Sequence, residues 1–469
     1  MNADQREGVL DAARYLREVR PLDPEELCEY VEGRPHPAVV RQVLREAAYD
    51  LRIREREDGT FAPVEDGPLD LPVGEIRRFP RSHERRLEDL LVERYGARWH
   101  AGESGDRLRA TIRRVKDEYY RQHPVEYDEE TALAYAIYHL PDYYAVGGYV
   151  AADLASGGLL PRAVRVLDVG AGVGGPALGL LDLLAGEAVV EYHAVEPSAA
   201  ADVFERLVES GPNRRVTVHR ETAEAFEPAG EYDVVLFANV WSELDDPEAV
   251  ARRYVESIAE DGTMVGVAPA DRNTAIGLRE VERALERDPG LTVYAPEVRL
   301  WPGRTPSDRG WSFDAKPDLA VPDVQRRLDD AAADPEHSPG EFVNADVQYA
   351  YTFLRRDGRR AIDFAPEASR FARMADAEEH VTERIDLTAI KLSRDLGRNN
   401  PLFKIGDGSE AVDHYAVLTR ESALNRDLRR ADYGDLLVIE NGLLLWNDDE
   451  RAYNLVVDGE TAVDAVSVP

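Results

Sequence analysis

One cysteine, Cys28, stands in 469 residues. That excludes an intrachain disulfide and every site built from several thiolates of one chain, cysteine zinc sites and iron–sulfur clusters included. Lysine is nearly as scarce: Lys116, Lys316, Lys391 and Lys404 are the four, so 53 of the 57 basic residues are arginine. Long apolar runs are missing too. The most apolar stretch, Ala177 to Val190, is broken by Asp182 and Glu187 and falls short of the ~20 residues a membrane-spanning helix needs. The opening MNADQREGVL has no basic region followed by an apolar one, so no secretory signal is read there. These absences predict a soluble cytoplasmic protein with no membrane partner. What is abundant is acid: 91 Asp and Glu give a formal net charge of −34, while 43% hydrophobic residues keep the chain in the globular class. Acidity with so little lysine fits a salt-loaded cytoplasm. At ~1 M salt the Debye length falls to about 3 Å, so the charge does not exclude an RNA partner. Screening should relieve carboxylate self-repulsion; thermal melts across a KCl series are expected to rise in midpoint, and a midpoint indifferent to salt would refute the reading.

Composition and periodicity divide the chain into 1–68, 75–160, 161–373 with an insertion at 302–340, and 374–469. The first segment shows three short amphipathic stretches and then IREREDGTFAPVE, where Asp58-Gly59 marks a tight hairpin. Helix, helix, helix, hairpin is the order of a winged helix. In its third stretch Val40, Val43, Leu44, Ala47 and Leu51 share one face, leaving Arg41, Gln42 and Arg45 outward as a recognition helix requires. Acidic residues outnumber arginine in this segment, which equally suits a protein-contact module or a helical cap. A Pro- and Gly-rich linker (Pro63, Gly67, Pro68, Pro72, Gly74) leads into helical pattern. From Glu75 to Arg121 there are thirteen Lys and Arg against nine Asp and Glu. Arg77, Arg78, Arg85 and Arg86 are candidates for gripping RNA phosphates; the alternative is an exposed helical face laced with ion pairs.

From Ala163 short apolar strands alternate with helices: VRVLDVG, VVEYHAVE, RVTVHRE, YDVVLFAN and TMVGVAP. Such alternation predicts a doubly wound parallel sheet. LTVYAPEVRLW and VNADVQYAYTFLRR could close it with an antiparallel edge, and Pro302 to Gly340, polar and rich in Pro and Gly, reads as a surface insertion. Beyond Met374 turn signals punctuate apolar runs, the spacing of a small antiparallel barrel or sandwich.

The most informative stretch is VRVLDVGAGVGGPALGLL, a buried strand entering a glycine turn and then a helix with Pro176 in its first turn. Gly170, Gly172 and Gly175 satisfy GxGxxG, so a dinucleotide site must be weighed. Asp168, two residues before the first glycine, makes the stretch DxGxGxG with Gly170, Gly172 and Gly174, which resembles the S-adenosylmethionine loop of class I methyltransferases. That cofactor has no pyrophosphate to seat, but carries an ammonium that a carboxylate at the turn can help hold. HAVEPS places Glu196 at a strand's carboxyl end, where open α/β sheets bind ligands and a carboxylate can accept ribose hydroxyls; NAD enzymes use an acid there too. Topology puts Glu221 near the adenine edge. FANVWSEL puts Asn239 beside the methyl donor, as the candidate catalytic residue. No Asn-Pro-Pro-aromatic sequence follows, which disfavours the usual base amino-group methylation. Carbon methylation of cytosine needs a thiol nucleophile, and Cys28 lies far outside this segment. Ser-His-Asp order, zinc spacing and a P-loop are all absent.

Several segments in order resemble a family of methyltransferase-like proteins associated with assembly of the mitochondrial small ribosomal subunit, with bacterial and archaeal relatives. The likeness runs from about Glu75 to Asp435: ETALAYAIYHLPDYYAV, LDVGAGVGG, VLFANVWSEL, GTMVGVAPADRNTAIGLREVERAL, NADVQYAYTFLRR and YGDLL. It implies an α/β fold with a Rossmann-like class I methyltransferase sheet, flanked here by a winged-helix-like and a β-barrel-like domain. It also implies S-adenosylmethionine as cofactor and the small ribosomal subunit or its rRNA as partner. Many members carry cysteines in the insertion, implying an iron–sulfur cluster; this insertion has none, and GWSFD stands where a Cys-containing motif is expected. The resemblance leaves two functions open, a methyltransferase and a noncatalytic cofactor-binding assembly factor. A winged-helix regulator or a small-molecule methyltransferase is the third reading.

Overall fold

The structure is a computed structural model that describes residues 1–71, 74–288, 290–304 and 311–466. Two compact units are present. The first gathers 1–238, 256–262 and 317–347; the second holds 239–255, 263–316 and 348–469. These units cut across the segments read from the sequence, because stretches distant along the chain share cores.

The first unit opens with α1 (Ala3–Leu16), α2 (Pro24–Leu27) and α3 (Pro37–Glu46), then a hairpin of β1 (Ile53–Glu55) and β2 (Phe61–Pro63). Asn2 and Gln5 cap α1 reciprocally, and Pro37 starts α3 where a missing N–H costs nothing. The core of this module includes Val40, Leu44 and Phe61, together with Ala163 and Val189 from beyond it. Polar contacts join the same neighbours: Asn213 Oδ1 accepts from Glu55 N–H at 2.7 Å, and Tyr49 Oη donates to Asp233 at 3.0 Å. The outward face expected of a recognition helix is otherwise engaged. Arg45 binds Glu55 of the hairpin at 2.5 Å, Arg41 lies 3.6 Å from the same carboxylate, and Gln42 donates to Glu46. Glu55 draws both arginines back onto the module.

Helices α4 (Arg81–Tyr95), α5 (Gly102–Tyr120) and α6 (Glu129–Ser156) follow. The parallel sheet comes next, with β3 (Ala163–Val169), α7 (Gly175–Leu183), β4 (Val189–Val195), α8 (Ala200–Leu207), β5 (Arg214–His219) and β6 (Tyr232–Ala238). Strand order in this unit is β5-β4-β3-β6, all parallel, with Asp168 opposite Ala194. Buried on both faces, β3, β4 and β6 are the largely apolar runs that such sheets require, while β5, at the end of the order, is only partly buried. Contacts between the N-terminal module and Asn213 and Asp233 lie at the amino-terminal ends of these strands. The 28-residue α6, with Pro141 inside it, packs on α7 through glycine. A Cβ at Gly147 would lie 2.3 Å from Pro176 O, and one at Gly179 2.0 Å from Tyr144 O, so only glycine allows this approach.

The expected surface insertion is largely exposed, as read, but it also carries packed parts. In the first unit a helix at Asp323–Asp330 buries Val324, Gln325 and Leu328, and Phe342 is fully enclosed. Gln325 Nε2 donates to the carbonyls of Ile137 and Tyr138 on α6. Its polar composition hid a narrow apolar stripe. Residues 305–310 of that segment lie outside the described residues, as does Pro72 of the linker.

The second unit contains α9 (Pro247–Arg253), β7 (Ile258–Pro269, its first residues counted with the first unit), α10 (Arg272–Arg287), β8 (Thr292–Ala295), β9 (Asp314–Lys316) and β10 (Val347–Arg355). Here β10 lies antiparallel between β7 and β8. Numbering the seven main strands in chain order, the first unit reads 3-2-1-4 and the second 5-7-6. A barrel follows: β11 (Arg384–Lys391), β12 (Leu402–Gly406), β13 (His414–Leu418), β14 (Leu436–Asn447), β15 (Ala452–Val457) and β16 (Ala462–Val466). The order β11-β12-β13-β15-β14 closes through pairing of β14 with β11, and β16 adds to β14. Ala389, Ile405, Leu437 and Val457 fill its core.

Candidate functional site

The glycine turn sits between β3 and α7, at the carboxyl end of the central strand. Gly170, Gly172 and Gly174 have φ of +75°, +54° and +90°, values that L side chains rarely adopt. Their surroundings differ. A Cβ on Gly174 would lie 2.8 Å from the Phe204 ring and 2.9 Å from Val208, whereas one on Gly172 meets nothing within 4 Å. Gly174 is a packing glycine; Gly172 faces open space, as a backbone that must approach a ligand does.

Glu196, one residue beyond β4, is buried to 8% exposure and bound to the turn. Its Oε2 accepts from Gly172 N–H at 2.9 Å, and its Oε1 from Ser198 N–H at 2.9 Å and Ser198 Oγ–H at 2.5 Å. A carboxylate offers about four acceptor positions. Three are taken, so the expectation that Glu196 receives both hydroxyls of a ribose is narrowed: one position is open, and rotation of the Ser198 hydroxyl frees a second.

Asp168 departs further from its expected role. It is 1% exposed, and Tyr192 Oη donates to its Oδ2 at 2.6 Å. Oδ1 is buried with no partner among the described residues. Loss of solvation, reinforced by the nearby Glu196 charge, pushes its carboxyl up to about 7 against the Tyr192 hydrogen bond. The carboxyl is tied to Tyr192 on the next strand; Oδ1 remains to meet a cation.

Glu221 is exposed two residues beyond β5, close enough for its charge to act on His219. Asn239 directly follows β6 and belongs to the second unit. It holds φ +61°, its N–H donates to Val267 O at 2.8 Å, and its Oδ1 is buried without a partner among the described residues. An asparagine tolerates that backbone. Of the four arginines considered for RNA, Arg77 pairs with Glu75, and Arg86 binds Leu207 O and, at 2.7 Å, Glu209. Arg78 and Arg85 are exposed and make no ion pair among the described residues.

Sequence reasoning missed a row of rings on α6. Tyr127 packs edge-on against Tyr135 at 5.5 Å, Tyr135 lies 4.8 Å from His139, and His139 stacks on Tyr143 at 5.1 Å and 11°. Tyr135, His139 and Tyr143 are spaced i, i+4, i+8, a signal legible in AYAIYHLPDYY. Tyr143 abuts the turn, since a Cβ on Gly175 would lie 2.8 Å from Tyr143 Cβ; Tyr127 O accepts from Ala199 N–H at 3.3 Å, beside the Glu196 loop.

Among the described residues no three or more His, Cys, Asp or Glu are grouped to hold a metal ion, and no helix is long and apolar enough to cross a membrane. Residues 117–316 match the family described as "Methyltransferase domain". Residues 6–57 and 375–466 match the N-terminal and C-terminal domains of the domain of unknown function DUF8157. No curated protein sequence matches the chain significantly. Similar solved structures include the plantazolicin methyltransferase BpumL in complex with SAH, 11% identical, covering 59% of this chain and 96% of that one with a TM-score of 0.29. A putative methyltransferase from Thermoplasma acidophilum is 15% identical over 42% of this chain and 71% of that one, TM-score 0.27. Magnesium protoporphyrin IX methyltransferase (ChlM) from Synechocystis PCC 6803 is 16% identical over 39% and 87%, TM-score 0.26. The chain therefore carries a methyltransferase domain over residues 117–316, on a Rossmann-like sheet followed by a closed β-barrel.

Proposed function

We propose that this protein transfers a methyl group from S-adenosylmethionine to an acceptor carried by the small ribosomal subunit or its rRNA. One observation carries the cofactor reading: a left-handed glycine turn opens to space at Gly172 while Gly172 N–H is bonded to Glu196, the acid at the end of the next strand. The open backbone at Gly172 admits a ligand without a side-chain clash. Glu196 fits a ribose through its remaining acceptor position, and the orphaned Asp168 Oδ1 is a buried acceptor suited to an ammonium. The cofactor, when bound, supplies an electrophilic methyl on sulfonium. The protein's part is then to bind, orient and exclude water from the reacting groups. Asn239, whose N–H is bonded to Val267 O, is proposed to border the reacting methyl, and Glu221 the adenine edge.

The ribosomal acceptor follows from the ordered family resemblance. Because Arg77 and Arg86 already have acidic partners, the arginines left for phosphate are Arg78 and Arg85; their exposed guanidiniums can grip phosphate bidentately and stay charged at any working pH. Calorimetry with S-adenosylmethionine and with NAD, followed by transfer of labelled methyl to small-subunit particles in molar KCl, tests both parts. Cofactor binding without methyl incorporation would assign the noncatalytic assembly role. Tighter binding of NAD would sink the cofactor assignment. Arg78→Ala/Arg85→Ala is expected to weaken co-sedimentation with particles and leave cofactor affinity unchanged. Unmodified protein that fails to co-sediment at native salt would refute the ribosomal acceptor.

A further inference from the structure

The ring row on α6 is built in a way that packing alone does not require. Its two ends are carried by backbone next to the two halves of the cofactor cradle: Tyr143 Cβ lies against Gly175 at the start of α7, and Tyr127, just before α6, accepts through its carbonyl from Ala199 N–H in the loop after Glu196. Between them Tyr135 and His139 are only partly buried, so the row presents a half-exposed aromatic wall at the carboxyl end of β3 and β4.

His139 is the centre of the wall and has unusual support. Its side chain is 24% exposed. Nδ1 lies 3.4 Å from Asp142 Oδ2 and 3.2 Å from Asn344 Nδ2. Asp142 is buried, with Oδ1 unpartnered among the described residues, and burial holds its carboxyl above the usual range while the imidazole and the Asn344 amide counteract this. Asn344 is fixed in turn by Gln325, whose Oε1 accepts from Asn344 N–H at 3.0 Å and whose amide is anchored to the carbonyls of α6. Nδ1 thus faces both an acceptor and a donor. With its proton on Nδ1, the ring donates to Asp142 and offers Nε2 as an acceptor. With its proton on Nε2, the ring accepts from Asn344 and offers a donor. Nε2 itself has no hydrogen-bond partner among the described residues. An imidazole serviced for either tautomer, with its second nitrogen open, suits a ligand group that can give or take a proton.

We propose that the wall of Tyr127, Tyr135, His139 and Tyr143 is the acceptor site of the methyltransferase domain and takes a planar aromatic or heteroaromatic ring whose hydroxyl or ring N–H is engaged by His139 Nε2. This inference rests on the methyl-transfer reading above. Aromatic edges and faces favour a flat partner over a saturated one of equal size, and His139 adds the polar anchor that small-ligand sites place among apolar walls.

The test needs no turnover. Full-length protein with 13C-labelled histidine is first titrated calorimetrically with S-adenosylhomocysteine, then, saturated with it, exposed to 4-hydroxyquinoline, indole, adenine or cytosine, and to the saturated control cyclohexylmethanol. The His139 resonance is assigned by its loss in His139→Gln. At least one planar probe is expected to shift that resonance with saturation, and cyclohexylmethanol to leave it in place. Tyr135→Leu should weaken the responding probe by tenfold or more, and Tyr135→Phe, which keeps the ring, should restore it. If S-adenosylhomocysteine fails to bind, the methyl-transfer reading falls and this one with it. If it binds but no planar probe moves His139, or the saturated control moves it equally, the acceptor site alone is overturned.

Discussion

Gly172→Val is expected to abolish cofactor binding while leaving the fold in place, and Gly174→Val, two residues away, to do the reverse. The added Cβ at Gly172 enters open space, so the only folding cost is a β-branched residue in the left-handed region, about 1–2 kcal/mol. That same side chain then stands where the backbone must approach the ligand. Affinity should fall roughly a hundredfold or more, equivalent to about 3 kcal/mol of lost contact. At Gly174 the Cβ collides with Phe204 and Val208 at φ +90°. Overpacking and strain together should cost about 3–5 kcal/mol of stability. Urea unfolding and calorimetric titration of both variants in one high-salt buffer check the contrast. Equal loss of stability at the two positions, or undiminished affinity in Gly172→Val, would show that the turn does not meet the cofactor.

Without ligand, Asp168→Asn should gain several kcal/mol of stability over the wild type between pH 4 and pH 8. The native carboxyl is held up to about 7 by burial and by the Glu196 charge, against about 3.9 in an unfolded chain. Between those values the native state keeps a proton that the unfolded state has released. The wild type therefore loses stability as pH rises from about 4 to about 7, by at most ~4 kcal/mol, and the loss is complete above 7. Asparagine cannot ionise and keeps an oxygen for Tyr192 Oη, so the variant lacks this contribution. The difference between the two proteins, measured by denaturant titration at pH 4.5, 6 and 8, should widen with pH in favour of the variant. A difference independent of pH would mean that Asp168 is ionised and solvated in the native protein. Bound cofactor should oppose the effect in the wild type alone, because an ammonium near Oδ1 favours the carboxylate.

Read along the chain, Asp168 looks like an open carboxylate at a ligand turn. In the folded protein Tyr192, one strand over, donates to it while stacking on Phe204, and its contribution depends on that enclosure. The arginines of the lead-in illustrate the same point. Their local excess of positive charge is real, yet Glu209, more than 120 residues beyond Arg86, takes up part of it.

What the sequence determined by itself is what short-range physics dictates. Strand, glycine turn and helix at 163–183 follow from an apolar run, three glycines that alone adopt left-handed backbone cheaply, and Pro176 in a first helical turn. The parallel sheet followed from strand and helix alternation, and the terminal barrel from regularly spaced turns. Cys28, standing alone, settled the thiol chemistry without any coordinates. Tertiary structure decided the rest, because it depends on groups that meet only after folding. Gly172 N–H reaches Glu196 across two strands, Asn344 reaches His139 over 205 residues, and Gln325 converts a polar insertion into a support for α6. Burial is likewise a property of the assembled core. It moves the Asp168 carboxyl by several units and separates a packing glycine from a ligand-facing one, and neither effect is written in the local order of residues.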